Sequence, residues 1–334
     1  MLRDLQREPD EALSGIIAVI QEVRPDVMLV TGFDHDLKGR ALAAFVDLLA
    51  QGAGGIAYPH RFNAGVNAGE PSGLDLDGDG MLLGWNDAWG WGKFPGHGGM
   101  AVLSRYPIDS SEARTFQEFL WNDLPGAELP VRSDGSLWPD AETAQARRLS
   151  SRSHWDVPVD LPSGRIHLLA SNPTPPLFDG DEMLNRLRHR DELRFWVQYL
   201  DGTQFEDDQG ATKAAPLEPV VVIGNLNRDP VDGAGLSDSV APLLNHARLQ
   251  DPQPESAGSV SAANPGHSGN PALDTADWRD EDGPGNLRVD YVLPDRRLKV
   301  VGAGVFWPAP DETMHAQAVA ASSHRLVWVD VVLP

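Results

Sequence analysis

Asp75, Asp77 and Asp79 alternate ahead of Gly80, and Asp87 closes the segment DLDGDGMLLGWND (75–87). Oxygens at alternate positions, with a glycine for the sharp turn, are the first half of an EF-hand-type calcium loop. Met81 would add its backbone carbonyl. The twelfth position is Asn86 rather than Glu, and no helical pattern flanks the segment. A structural Ca²⁺ that orders the loop is therefore expected outside an EF-hand, the alternative being an Asp/Gly turn with solvated carboxylates. Calcium is preferred because three aspartates in five residues repel one another unless a cation joins them. Arg186, Arg188 and Arg190 form a cluster suited to phosphate or carboxylate recognition. Spaced by two they fan around a helix, where solvated pairing with Asp191 and Glu192 is the plainer expectation. Trp85, Trp89 and Trp91 offer a stacking platform, but the expected use is burial of a long loop against its own sheet. Neither GxSxG nor GxxxxGK[ST] occurs, so a serine elbow and a P-loop are excluded.

Composition narrows the classes further. The 334 residues carry a formal charge of −22 and no cysteine, with 41% hydrophobic residues, ten Trp and ten Phe. That is enough apolar surface for a large core. Without cysteine there are no disulfides, thiolate zinc sites or cysteine nucleophiles. The negative balance, with no Lys/Arg stripe, argues against a nucleic-acid partner. No run approaches a membrane span, and MLRDLQREPDEAL lacks the apolar stretch of a signal peptide. A soluble chain follows, cytoplasmic as written, or secreted or periplasmic if its N-terminus is trimmed. Compartment and oligomeric state stay open.

The elements that must position these residues are legible by period. Leu13, Ile16, Ile17, Ile20 and Val23 recur at helical spacing over Glu11–Val23 and stop at Pro25. The apolar run of 26–31 reads as a buried strand, 38–51 as a helix, and 52–98 as a long Gly/Asn/Asp-rich loop. Strands are expected at 100–103, 154–159, 166–171, 220–223, 289–293, 298–306 and 326–333, with one strong helix at about 185–200. Segments 125–147 and 252–287 read as surface excursions. The pattern predicts one domain over 1–334, an α/β fold of two packed sheets flanked by helices and long surface loops.

Six segments carry a family resemblance in order: PDVMLVTGFDHD (25–36), GGMAVLSRYPI (98–108), LLASNPTPPLFDG (168–180), VVVIGNLNRDPVDG (220–233), LRVDYVLP (287–294) and SSHRLVWVDVVLP (322–334). The chain resembles the endonuclease/exonuclease/phosphatase (DNase I-like) superfamily. The resemblance implies a two-sheet α/β sandwich in which Mg²⁺ or Mn²⁺ at the sheet tips assists phosphoester hydrolysis by Asp, Asn and His. Such chemistry needs charge neutralisation, an activated in-line water and an acid for the leaving group.

Carried over position by position, the resemblance gives His324 as the terminal catalytic His, Asp290 as the Asp that orients it, and Asn227 as the Asn of a GDxN motif. It also exposes departures. The water-activating Asp of GDxN is Asn225, which cannot accept a proton. The metal-binding Glu of an NEFD-like strand end is Gly32, the Asp of SDHR is Ser323, and the second His of SHPTPP is Asn172. The family's first strand, with its Asn beside the metal, should precede the point where the match begins. Three missing carboxylates strip charge from the metal position, so family Mg²⁺ or Mn²⁺ is doubtful here. Asp34, Asp36 and His97 are conceivable rescues, better read as loop-capping groups and a loop histidine. Arg188 falls on the helix that lines the substrate side in relatives. The expectation is a phosphoesterase on a small or medium substrate with a degenerate centre and weak or lost activity. A pseudoenzyme that binds a ligand or partner in the retained pocket is the alternative, and a nuclease a third.

Overall fold

The computed structural model describes residues 1–333. In chain order the elements are α1 (Leu2–Leu5), α2 (Glu11–Val23), β1 (Val27–Phe33), α3 (Arg40–Leu49), β2 (His60–Phe62), β3 (Gly99–Ser104), β4 (Arg114–Thr115), α4 (Ala141–Ala146), β5 (His154–Leu161), β6 (Gly164–Ser171) and α5 (Leu184–Leu200). There follow β7 (Phe205–Glu206), β8 (Thr212–Lys213), β9 (Val220–Asn225), α6 (Ala241–Leu244), α7 (Ala257–Ser261), β10 (Ala276–Asp277), β11 (Asn286–Leu287), β12 (Asp290–Pro294), β13 (Lys299–Phe306), α8 (His315–Ala321) and β14 (Leu326–Val332).

Helix α2 begins where Asp10 accepts the backbone N–H of Leu13 at 2.8 Å, and it ends one residue before Pro25. Its Gly15 is a packing glycine: a Cβ there would stand 2.7 Å from the carbonyl of Gln317, so α2 and α8 approach backbone to backbone. Strands β3 and β9 are nearly continuous apolar runs because both of their faces are covered, whereas the equally buried β5 and β6 also carry His154, Asp156 and His167.

Two sheets stack. One has the order β1-β3-β2, the other β12-β9-β6-β5-β4, with β6 and β9 parallel and the other pairs antiparallel. Between them lie Met100, Val102, Trp155, Val157, Leu168 and Val221. Outside the first sheet, α1, α2 and α3 cover Met28, Phe33, Ala101 and Leu103. Outside the second, α5 lays Leu193, Phe195, Trp196 and Tyr199 on Leu169, Val220, Val222 and Leu293. The result is a layered α/β/β/α sandwich, completed by the antiparallel β13–β14 pair, which α8 connects; Val331 and the following Leu333 pack on the core between the sheets. Both β1 and β14 are edge strands. Among the described residues no helix is long and apolar enough to cross a membrane.

The stretch 52–98 is loop apart from β2, and it is tied to the body through Asn67. That side chain is fully buried and donates to the carbonyls of Gln117 and Ser150, while its own N–H bonds to Arg152. Trp89 lies under the Arg148 guanidinium at 4.8 Å. Trp85 and Trp91 do not follow it: each is about half exposed, which corrects the expectation that all three bury the loop.

Candidate active site

The site assembles where β6, β9 and β12 end together. Register places Asp290 opposite Asn225 across the β12–β9 pair and aligns Ala170 with Ile223 across β6–β9, so Asn172 and Asn225 leave their strands side by side. After β9 the chain turns through a left-handed Asn227 (φ 53°), which points its amide back. Asn227 donates to the Pro173 carbonyl at 2.8 Å and reaches the Asn172 oxygen at 3.4 Å, while its N–H bonds to Asn225 Oδ1 at 3.0 Å. Three amides thus interlock at one sheet tip.

Beside them stands the acid–histidine pair. His324 Nδ1 meets Asp290 Oδ2 at 2.8 Å. Thr275 fixes that carboxylate: its hydroxyl donates to Asp290 Oδ2 at 3.0 Å and accepts the backbone N–H groups of Val289 and Asp290. The ring edge of Trp278 packs on His324 at 5.2 Å. Burial works against a charged imidazole, but the Asp290 charge and hydrogen bond outweigh it and hold the pKa of His324 above its ordinary value. Nδ1 is engaged, and Nε2 has no hydrogen-bond partner among the described residues. Oriented this way, a protonated His324 can present a donor to a phosphate oxygen.

The end of β1 supplies no carboxylate to this tip. Gly32 is exposed, sits at φ +70° beside a register shift, and has open space where a side chain would stand. Asp34 Oδ1 accepts the Gly98 N–H at 2.9 Å. Asp36 accepts the N–H groups of Lys38, Arg40 and Ala41 at the start of α3, and these bonds outweigh burial to lower its pKa. Both aspartates therefore have the loop-capping roles expected of them. Ser323 is exposed and meets Asp277 through its carbonyl.

His97 lies on a loop zipped to the end of β1 by the bond from His35 N–H to the Gly96 carbonyl. Its ring packs edge-on against Phe94 (4.9 Å) and Trp91 (5.9 Å), and its buried Nδ1 has no partner. Arg188 is a correction. It is buried, and its guanidinium donates to the carbonyls of Leu149, Trp89, Arg148 and Ser150, so it cannot face a ligand. Arg190 is likewise buried, between Glu128 and Asp191 rather than in solvent.

Two residues at the site escaped the sequence reading. Thr275 belongs to a loop remote in sequence from Asp290, and only folding joins them. Arg152 is largely buried, donates through Nε to the Gly98 carbonyl at 2.9 Å, and follows Ser151, whose hydroxyl reaches the Asn172 carbonyl at 3.4 Å. The signal was its place just before β5, in SSRSHWDV.

In the long loop, ligand oxygens of Asp75, Asp77 and Asp87 lie within 4.8 Å of one another, the one such trio of acidic or histidine groups among the described residues. Asp79 is not in it, a correction to the alternating set: its Oδ1 accepts the Met81 N–H at 2.7 Å, and Met81 itself is exposed. Asp75 accepts from Gly78, Asp79 and Gly80, and buried Asp87 accepts from Leu76. Burial, and then the neighbouring aspartates, push the Asp87 pKa up. Buried Arg147, which donates to the Leu76 carbonyl, faces this group as a built-in cation. Its own pKa falls to about 9, mainly through burial and then through Arg188, with Asp77 and Asp87 opposing.

The Endonuclease/Exonuclease/phosphatase family model matches residues 6–324, nearly the whole chain. The chain belongs to this family. Its members are metal-dependent phosphoesterases and nucleases, generally using divalent metals such as Mg²⁺. Among solved structures, an endonuclease/exonuclease/phosphatase from Beutenbergia cavernae DSM 12333 is 20% identical, with a TM-score of 0.56 over 98% of this chain and 67% of that one. A family protein from Leptotrichia buccalis C-1013-b is 13% identical, with a TM-score of 0.50 over 96% and 93%. At these identities the likeness concerns the fold, and it agrees with the two-sheet sandwich expected from the sequence. The donors at the sheet tip do not fit the family's hard cation. One carboxylate, Asp290, is already engaged by His324 and Thr275, and the other groups there are amides.

Proposed function

We propose that the protein binds a small or medium phosphoester at the sheet tip and that hydrolysis there is weak or lost. The observation carrying this reading is the intact His324–Asp290 pair at 2.8 Å beside an all-amide platform of Asn172, Asn225 and Asn227. The pair holds a cationic donor, the interlocked amides shape the tip beside it, and Asn225 can align a water without deprotonating it. A polyanionic nucleic acid is disfavoured by the net charge of −22.

Inorganic phosphate is the direct probe. Calorimetric titration across pH 5.5–9 should show binding that persists above the ordinary imidazole range of about 6.5, and then falls as pH rises through the raised pKa of His324. The charged pair's contribution to stability has the same sign, complete at low pH and lost as the imidazole deprotonates. His324→Asn should remove the fall in affinity that follows imidazole deprotonation, leaving only the titration of phosphate itself, and weaken binding about tenfold. Phosphate affinity that is flat with pH, or unchanged in the variant, would remove His324 from the site.

A second reading concerns the long loop. The convergence of Asp75, Asp77 and Asp87 supports a structural Ca²⁺ there, with Arg147 already offsetting part of their charge. Millimolar Ca²⁺ should raise the melting temperature by a few degrees, about what 1 kcal/mol yields in a chain of this size, and Asp77→Ala should abolish the shift. An unchanged melting temperature would leave Arg147 as the trio's sole cation.

A further inference from the structure

One buried group on α5 departs from the pattern of its neighbours. His189, Leu193, Trp196 and Leu200 recur at helical spacing, and all four are buried. That pattern calls for an apolar residue at 189. The imidazole found there is fully enclosed and its Nδ1 has no partner, which carries a desolvation cost that a leucine would not incur. Burial pulls its pKa down to about 4 against the opposing bond to Leu226, and Arg228 adds to the fall, so the ring is neutral near pH 7.

Its one polar contact lies at the tip. Nε2 donates to the Leu226 carbonyl at 2.8 Å, which fixes the Nε2–H tautomer. That carbonyl belongs to the peptide joining Leu226 to Asn227, and the N–H of the same peptide donates to Asn225 Oδ1 at 3.0 Å. One peptide plane is therefore pinned at both ends, by α5 on its buried side and by the tip's own carboxamide on the other. Turning that plane over would break both bonds and release the left-handed Asn227, whose Nδ2 ties the turn to the Pro173 carbonyl. Three residues along α5, Glu192 anchors the β6 side in a parallel way, accepting the N–H groups of Ser151 and Thr174.

We infer that His189 is a positioning residue for the tip: from the buried side it locks the Leu226–Asn227 peptide, and through it the carboxamides of Asn225 and Asn227. It touches no ligand itself. Where phosphate is concerned, this rests on the reading above.

The test compares His189→Leu, which keeps the apolar packing and removes the donor, with His189→Gln, whose amide N–H can stand in for Nε2–H. Calorimetric titration with inorganic phosphate should show affinity lowered about fivefold or more in His189→Leu and restored to within about twofold of wild type in His189→Gln. A histidine that serves stability alone would shift the melting temperatures and leave phosphate affinity per folded molecule equal in all three chains, and that result overturns the assignment. A second readout needs no ligand. Proton–nitrogen correlation spectra of the wild-type ring should show the Nε2–H tautomer, and the amide signals of Asn225 and Asn227 should move in His189→Leu and return toward wild type in His189→Gln. Both variants lose the ring current, so the difference between them reports the hydrogen bond. An Nδ1–H tautomer, or tip signals alike in the two variants, would equally overturn the assignment. A wild-type chain that binds no phosphate would end the phosphate reading, with the spectra still deciding for or against His189.

Discussion

Arg188→Ala is expected to cost about 3–5 kcal/mol of folding stability and to leave phosphate affinity per folded molecule unchanged. The guanidinium is buried against four backbone carbonyls at 2.7–3.0 Å. Its truncation orphans those acceptors, each of which carries a desolvation cost. It also removes a positive charge that favours the ionised form of buried Glu192. Burial already pushes the Glu192 pKa up, and Arg188 leads the opposing influences, followed by the N–H groups of Ser151 and Thr174. Glu192 in turn bonds Ser151 and Thr174, which flank Arg152 and Asn172. Urea denaturation with an unchanged slope would give the number directly. A fully stable variant that has lost phosphate binding would return Arg188 to the ligand site.

Restoring the family residues is expected to have the largest effect on activity. Gly32→Glu, Asn172→His, Asn225→Asp and Ser323→Asp together should raise Mn²⁺-dependent hydrolysis of bis-p-nitrophenyl phosphate by about a hundredfold or more, the low end of what a positioned general base contributes. Asn225→Asp alone should do far less, since a new carboxylate opposite Asp290 competes with it for the His324 charge and still leaves the metal position short of ligands. Gly32→Glu carries a separate cost. The backbone there is left-handed at φ +70°, so a side chain is strained by about 1–2 kcal/mol even though the space is open.

What the sequence made legible has a physical pattern. Helix α2 was readable to its ends because five apolar residues, an Asp cap and a Pro stop all agree. Strands β3 and β9 were readable because burial on both faces leaves nearly uninterrupted apolar runs, and β5 and β6 were readable as short apolar or alternating stretches. His324 and Asp290 were readable only through the family resemblance of LRVDYVLP and SSHRLVWVDVVLP, not from any pattern of their own. The two-residue strands β4, β10 and β11 carry no period at all. Arg188 was misplaced because its surroundings are backbone carbonyls from residues 89 and 148–150, which no pattern on its own helix reveals. Asp79 was grouped with Asp75 and Asp77 by spacing, yet Asp87 takes its place once the loop folds back. Trp85 and Trp91 differ from Trp89 only in where the loop carries them.

The central claim is that the tip retains its histidine–aspartate pair and has lost the means to hold a metal. One measurement addresses it most directly: turnover of bis-p-nitrophenyl phosphate by the wild-type chain with Mg²⁺ or Mn²⁺, with EDTA, and in His324→Ala, beside the fourfold restored variant. The account predicts wild-type rates that barely respond to metal, EDTA or the loss of His324, and a restored variant whose turnover is metal-dependent and at least about a hundredfold faster. Robust wild-type turnover that EDTA and His324→Ala both abolish would contradict it.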